Sequence, residues 1–82
     1  MDIIHKNTEL LNFLKISDDC KKLIGFIKEH NVKDKLHAMS FLIYMENYPE
    51  FELVFNFLYK NFKTTVGRHN FIITLRDLDI NL

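Results

Sequence analysis

From Leu36 to Phe62 more than half of the positions are large apolar or aromatic residues, and the chain direction is broken there at Tyr48-Pro49. Between Leu36 and Met45 the apolar set is Leu36, Ala38, Met39, Phe41, Leu42, Ile43, Tyr44 and Met45. A helix with one apolar stripe lies on a surface, whereas one that is apolar almost all round belongs in an interior. The pattern therefore predicts a helix in the middle of a bundle. A buried strand is the rival reading, but the run is long for a strand and poor in β-branched residues. Pro49 lacks an N–H and biases Tyr48 towards extended backbone, which suits the first turn of a new helix. Beyond it Phe51, Val54, Phe55, Leu58 and Phe62 fall at the spacing of one helical face. Leu53 and Phe57 form an i, i+4 pair on its flank. They widen the core contact or, if exposed, form a sticky patch of the kind that marks interaction sites.

Taken in order, Ile3 and Ile4 are expected to dock a short lead-in on the bundle. Asn7 or Thr8 can cap a helix over 9–16 that faces Leu10, Leu11 and Leu14 inwards. Ser17 is a favourable N-cap for a helix over 18–30, with Asp18 and Asp19 placed where the helix dipole favours carboxylates. Cys20, Leu23, Ile24 and Ile27 form its inward stripe, and Lys28, His30 and Asn31 suit its end. Further helices are predicted over 33–47, 49–62 and 66–78, with Thr65 as a cap for the last. Residues 71–75 also read as a short strand, since Ile, Thr and Phe favour strands. The fold class expected is all-α: a compact single-domain bundle of four to five short helices.

Length sharpens this picture. The chain has 82 residues, enough for one domain. A domain of that size buries only about 60–65% of its unfolded surface, so its margin is thin and self-association would help cover apolar area. Two glycines and one proline argue against a turn-rich β protein. Eleven basic and eleven acidic residues cancel, leaving no global field to draw in nucleic acid or an anionic membrane. The single cysteine forms no internal disulfide, which makes a reducing, cytoplasmic setting the default expectation. The first residues do not read as a secretory signal, and no run is long and apolar enough to span a membrane. Phe, Tyr, Ile, Asn and Lys, whose codons are AT-rich, are abundant, whereas Gly, Ala, Arg and Pro are scarce. That bias suits an AT-rich genome, such as a low-GC bacterium or a phage, and a phage accessory protein fits it.

Few residue groupings carry chemistry. Cys20 lies near a helix N-terminus, which favours a thiolate, but Asp18 and Asp19 oppose it and the position belongs to an apolar stripe. A buried structural cysteine is expected. His5, His30, His37 and His69 have neither the i, i+4 spacing nor the company of a CxxC pair that zinc sites use, so neither a metal nor a cofactor is expected. Asp77 and Asp79 diverge on a helix, and both glycines are isolated, so no phosphate loop exists. No nucleophile, acid–base pair or cofactor cradle can be assembled, which argues against an enzyme.

The segment from Thr65 to Leu78 places Arg68, His69 and Asn70 at the opening of a helix, with Leu75 and Leu78 at its close. It resembles the recognition helix of helix-turn-helix proteins over about 14 residues, which implies that Arg68, His69, Asn70 and Arg76 would meet DNA. Lys60 and Asn61 depart from that motif where a small and an apolar residue are usual, and Ile72 and Ile73 stand side by side. The leading expectation is a non-enzymatic module that binds another protein, or a second copy of itself, as a regulator, inhibitor or assembly factor. Its expected contact residues are Phe41, Tyr44, Met45, Tyr48, Leu53 and Phe57, because short helices can barely cover so much apolar surface. Nucleic-acid binding is the alternative.

Overall fold

The computed structural model describes residues 3–62 and 66–78, with side chains from residue 9 onwards except residue 11. Within them the chain forms five helices and no strand: α1 Ile3–Ile16, α2 Asp18–Glu29, α3 Lys35–Met45, α4 Pro49–Phe62 and α5 Arg68–Asp77. The all-α bundle read from periodicity is therefore the fold, and Phe71–Leu75 is helical. α1 begins well before residue 9, so Asn7 and Thr8 lie inside it rather than at its cap. Docking of Ile3 and Ile4, the inward face of Leu11, the Thr65 cap and the roles of His5 and Asp79 fall outside the described side chains and backbone.

Local chemistry sets the other boundaries. The Ser17 side chain accepts a hydrogen bond from the Cys20 N–H at 3.3 Å, satisfying one of the free donors of the first turn of α2. α2 ends at Glu29 with His30 as C-cap, and Asn31 follows in the left-handed region at φ 53°. Asparagine tolerates that region better than most residues because its short polar side chain bonds locally. α3 starts at Lys35 rather than Lys33, because the Asp34 carboxylate accepts from the His37 N–H at 3.0 Å and fixes the cap there. α4 starts on Pro49, and the Tyr48 carbonyl accepts from the N–H groups of Phe51 and Glu52. α5 starts at Arg68 rather than Val66, behind the extended Gly67.

The core is gathered around α2, which packs against α1, α4 and α5 and buries Cys20, Leu23, Ile24 and Ile27. Leu10 and Leu14 from α1, Phe55 and Leu58 from α4, and Phe71, Ile72 and Leu75 from α5 close round it. This corrects the expectation that α3 occupies the middle. α3 lies against α5 and α4 through Ala38, Phe41 and Met45, and exposes Leu36, Met39, Ile43 and Tyr44. The reason is geometric. A central helix needs neighbours on every side, and among the described residues α3 is packed on one face alone, where α4, α5 and the Phe26 ring of α2 meet it. Leu36, Met39 and Ile43 on the other side are covered by none of the described elements. The radius of gyration is 11.8 Å, as expected of a compact chain of this length, roughly 12 Å.

Candidate partner-binding surface

α1, α2 and α4 meet in an open groove lined by Phe13, Ser17, Asp19, Cys20, Leu53, Val54 and Phe57. Two of these residues come from the outer flank of α4. Phe55 and Leu58 on that helix turn into the core and are completely covered, which carries Leu53 and Phe57 to the opposite side. Leu53 is 71% exposed and Phe57 50% exposed. Phe57 keeps one ring contact, to Phe13 at 5.8 Å between centroids, and Phe13 also meets Phe62 at 5.6 Å. Asp19 borders this groove and the adjoining one, where it is joined by Lys22, Glu50, Phe51 and Val54.

The six residues expected to meet a partner do not share one surface. Phe41 and Met45 are core residues, 4% and 1% exposed, so the expectation for them is corrected: they lie on the one face of α3 that packs inwards. Tyr44 and Tyr48 form part of an aromatic cluster at the other end of the bundle. There the Tyr44 and Tyr48 hydroxyls are hydrogen-bonded at 2.9 Å. That bond holds the Tyr44 hydroxyl pKa above its ordinary value, with smaller contributions in the same direction from desolvation and from the Tyr48 charge. Phe26 stacks on Phe51 at 4.3 Å and meets Tyr48 at 5.0 Å and the His30 edge at 4.6 Å. The sequence gives no hint that Phe26 is the hub of this cluster, because a lone phenylalanine beside Gly25 reads only as flank. His30, Val32, Lys33, His37, Ser40, Phe41 and Tyr44 line a shallow cleft next to it, together with Asn31.

The residues proposed for DNA contact are occupied otherwise. The Arg68 guanidinium lies over the rings of Phe55 and Tyr59, 5.0 and 5.4 Å from their centroids, and donates to the Asn56 side chain at 2.8 Å. Arg76 donates to the Val32 carbonyl at 2.8 Å and pairs with Asp77 at 2.8 Å. His69 is half-buried beside Gly67, and Asn70 is exposed with its carbonyl accepting from Thr74 at 3.0 Å. The two arginines thus serve different seams, one to α4 and one to the α2–α3 connection, rather than a common basic face.

Cys20 is buried. Burial raises its thiol pKa, the neighbouring Asp19 charge raises it further, and a hydrogen bond with Ser17 opposes both. That is the reverse of what a nucleophile needs. Among the described residues no three His, Cys, Asp or Glu side chains come together as a metal site, and no helix is long and apolar enough to cross a membrane. No family model, curated protein or solved structure matches the chain.

Proposed function

We propose that this chain is a non-enzymatic binding module that acts by docking another protein in the groove between α1, α2 and α4, as a regulator, inhibitor or assembly factor. The observation that carries this reading is the exposure of Leu53 and Phe57, an i, i+4 apolar pair beside Phe13 with none of the described elements over it. Leaving such a pair in water is unfavourable, and a partner that covers it gains the burial free energy. The occupant that fits is an amphipathic helix. Its apolar anchors would seat on Leu53 and Phe57, and a cation on its flank would meet Asp19 at the groove edge. Enzymatic alternatives gain little from the groove, whose thiol is buried and whose Ser17 hydroxyl is engaged as the cap of α2. The nucleic-acid alternative needs Arg68 and Arg76 free of their present partners.

The test is capture of partners from a host lysate with the wild type, Leu53→Glu and Phe57→Glu, each with and without nuclease. Both positions are largely outside the core, so the variants keep the helical circular dichroism spectrum. A protein retained by the wild type, resistant to nuclease and lost from both variants supports the reading. Equal capture by the variants, or loss of capture on nuclease treatment, overturns it.

A further inference from the structure

We propose that a second copy of this chain docks on the outward face of α3, with the two α3 helices antiparallel across a two-fold axis. This surface is separate from the α4 groove and does not depend on it. Ala38, Phe41 and Met45 point into the core, and on the opposite side of the same helix Leu36, Met39 and Ile43 are 72%, 44% and 67% exposed. At about 100° per residue, Leu36 and Ile43 lie within roughly 20° of one another, about two turns apart. They form the midline of an apolar stripe with Met39 on one flank and the small Ser40 on the other.

The charges say what covers it. Lys35 at the start of α3 and Glu46, its C-cap in helical geometry, fall on the same flank as Met39, within roughly 40° of it. Both are exposed, and neither side chain makes an ion pair or hydrogen bond among the described residues. A two-fold axis perpendicular to both helices keeps each flank on its own side while reversing the chain direction. Lys35 of one copy then stands beside Glu46 of the other, twice, on either side of a Met39–Met39 contact. Leu36 of one copy meets Ile43 of the other. A parallel pair, related by a two-fold axis along the helices, would carry the two charged flanks to opposite sides of the seam and form neither pair. One patch is thus complementary to itself in a single orientation, the condition for a closed two-fold dimer. The formal net charge of zero adds no long-range repulsion between copies.

Sedimentation equilibrium on the full chain from low to several hundred micromolar tests this. The wild type is expected to pass from monomer to dimer. Ile43→Glu, at an exposed position, should keep the helical spectrum and remain monomeric throughout, a loss of at least about 100-fold in affinity. Lys35→Glu and Glu46→Lys should each weaken the dimer about tenfold, since two attractive pairs become repulsive. The double variant carrying both changes should regain wild-type affinity, and an equimolar mixture of the two single variants should form the mixed dimer preferentially. Leu53→Glu should leave the dimer unchanged, which separates this surface from the α4 groove. A wild type that stays monomeric at the highest concentration overturns the proposal. So does a dimer that survives Ile43→Glu, or one in which the double charge exchange fails to restore affinity.

Discussion

The Arg76 guanidinium donates to the carbonyl of Val32, 44 residues earlier in the chain, at 2.8 Å, and reaches the Lys33 carbonyl at 3.3 Å. Its other edge holds the Asp77 carboxylate at 2.8 Å. The last turn of α5 is thereby tied to the α2–α3 connection, where the side chain of Val32 is buried and its carbonyl needs a donor. The planar fork of arginine meets carbonyls on one side and a carboxylate on the other, which a lysine ammonium does less well. Arg76→Ala is therefore expected to lower stability by about 1–2 kcal/mol without loss of helicity, and Arg76→Lys to recover part of it. Urea denaturation followed by circular dichroism measures both. An Arg76→Ala midpoint equal to wild type would mean the tie does not hold in solution.

Phe55 is completely buried and its ring packs against Phe71 at 5.7 Å and Tyr59 at 5.9 Å. Phe55→Ala empties the centre of the α4–α5 seam and removes one of the two rings under Arg68. The expected cost is about 3–5 kcal/mol, a large share of the stability of a domain this small. The variant should be largely unfolded at 37 °C by circular dichroism. A loss under about 1 kcal/mol would contradict the packing.

Two caps carry single hydrogen bonds that are simple to remove. Ser17→Ala and Asp34→Ala leave the Cys20 and His37 N–H groups without their acceptors. Each is expected to cost about 1 kcal/mol in urea denaturation, whereas glycine at either position should cost only a few tenths. Alanine variants indistinguishable from wild type would show that α2 and α3 do not depend on these caps.

The raised thiol pKa of Cys20 has a pH signature. The folded chain holds the thiol proton more tightly than the unfolded chain, so this contribution to stability is complete below the unfolded thiol pKa, about 8.5, and is lost as pH rises above it. Replacing Cys20 by Ala should flatten the decline of stability above that pH. In the native state the buried thiol should react with a disulfide reagent far more slowly than in urea. Equal rates in both conditions would place Cys20 at the surface.

The Tyr44–Tyr48 hydroxyl pair predicts a titration. In the wild type one tyrosine should ionise above the ordinary range near 10, because losing a proton disrupts the shared hydrogen bond. Tyr48→Phe should return Tyr44 to that range in an ultraviolet titration. An unchanged curve would show that the pair is not formed.

Most of the fold was legible because it depends on neighbours along the chain. Ser17 followed by Asp18 and Asp19 marks the start of α2 by local hydrogen bonding and dipole, and Pro49 starts α4 because its missing N–H costs nothing in a first turn. The Asp34 cap is equally local, an acceptor just ahead of the apolar run, and it places the start of α3 two residues after Lys33. The inward stripe of α2 follows from a 3.6-residue period that leaves one face apolar. α3 has no such asymmetry, since apolar residues surround it, and periodicity cannot choose which of them will be covered.

That choice belonged to the tertiary structure. Residues on α4 and α5, with Phe26 of α2, meet only one side of α3; they bury Phe41 and Met45 and leave Leu36, Met39 and Ile43 in water. The same packing turned Leu53 and Phe57 outwards, gathered Phe26, Tyr48 and Phe51 into one cluster, and bound Arg68 and Arg76 to partners 12 and 44 residues away. The sequence by itself determined where the helices run, because a cap, a proline and a repeating apolar face act within a few residues. Which apolar and charged side chains remain available to another molecule is decided only when distant helices compete for the same neighbours.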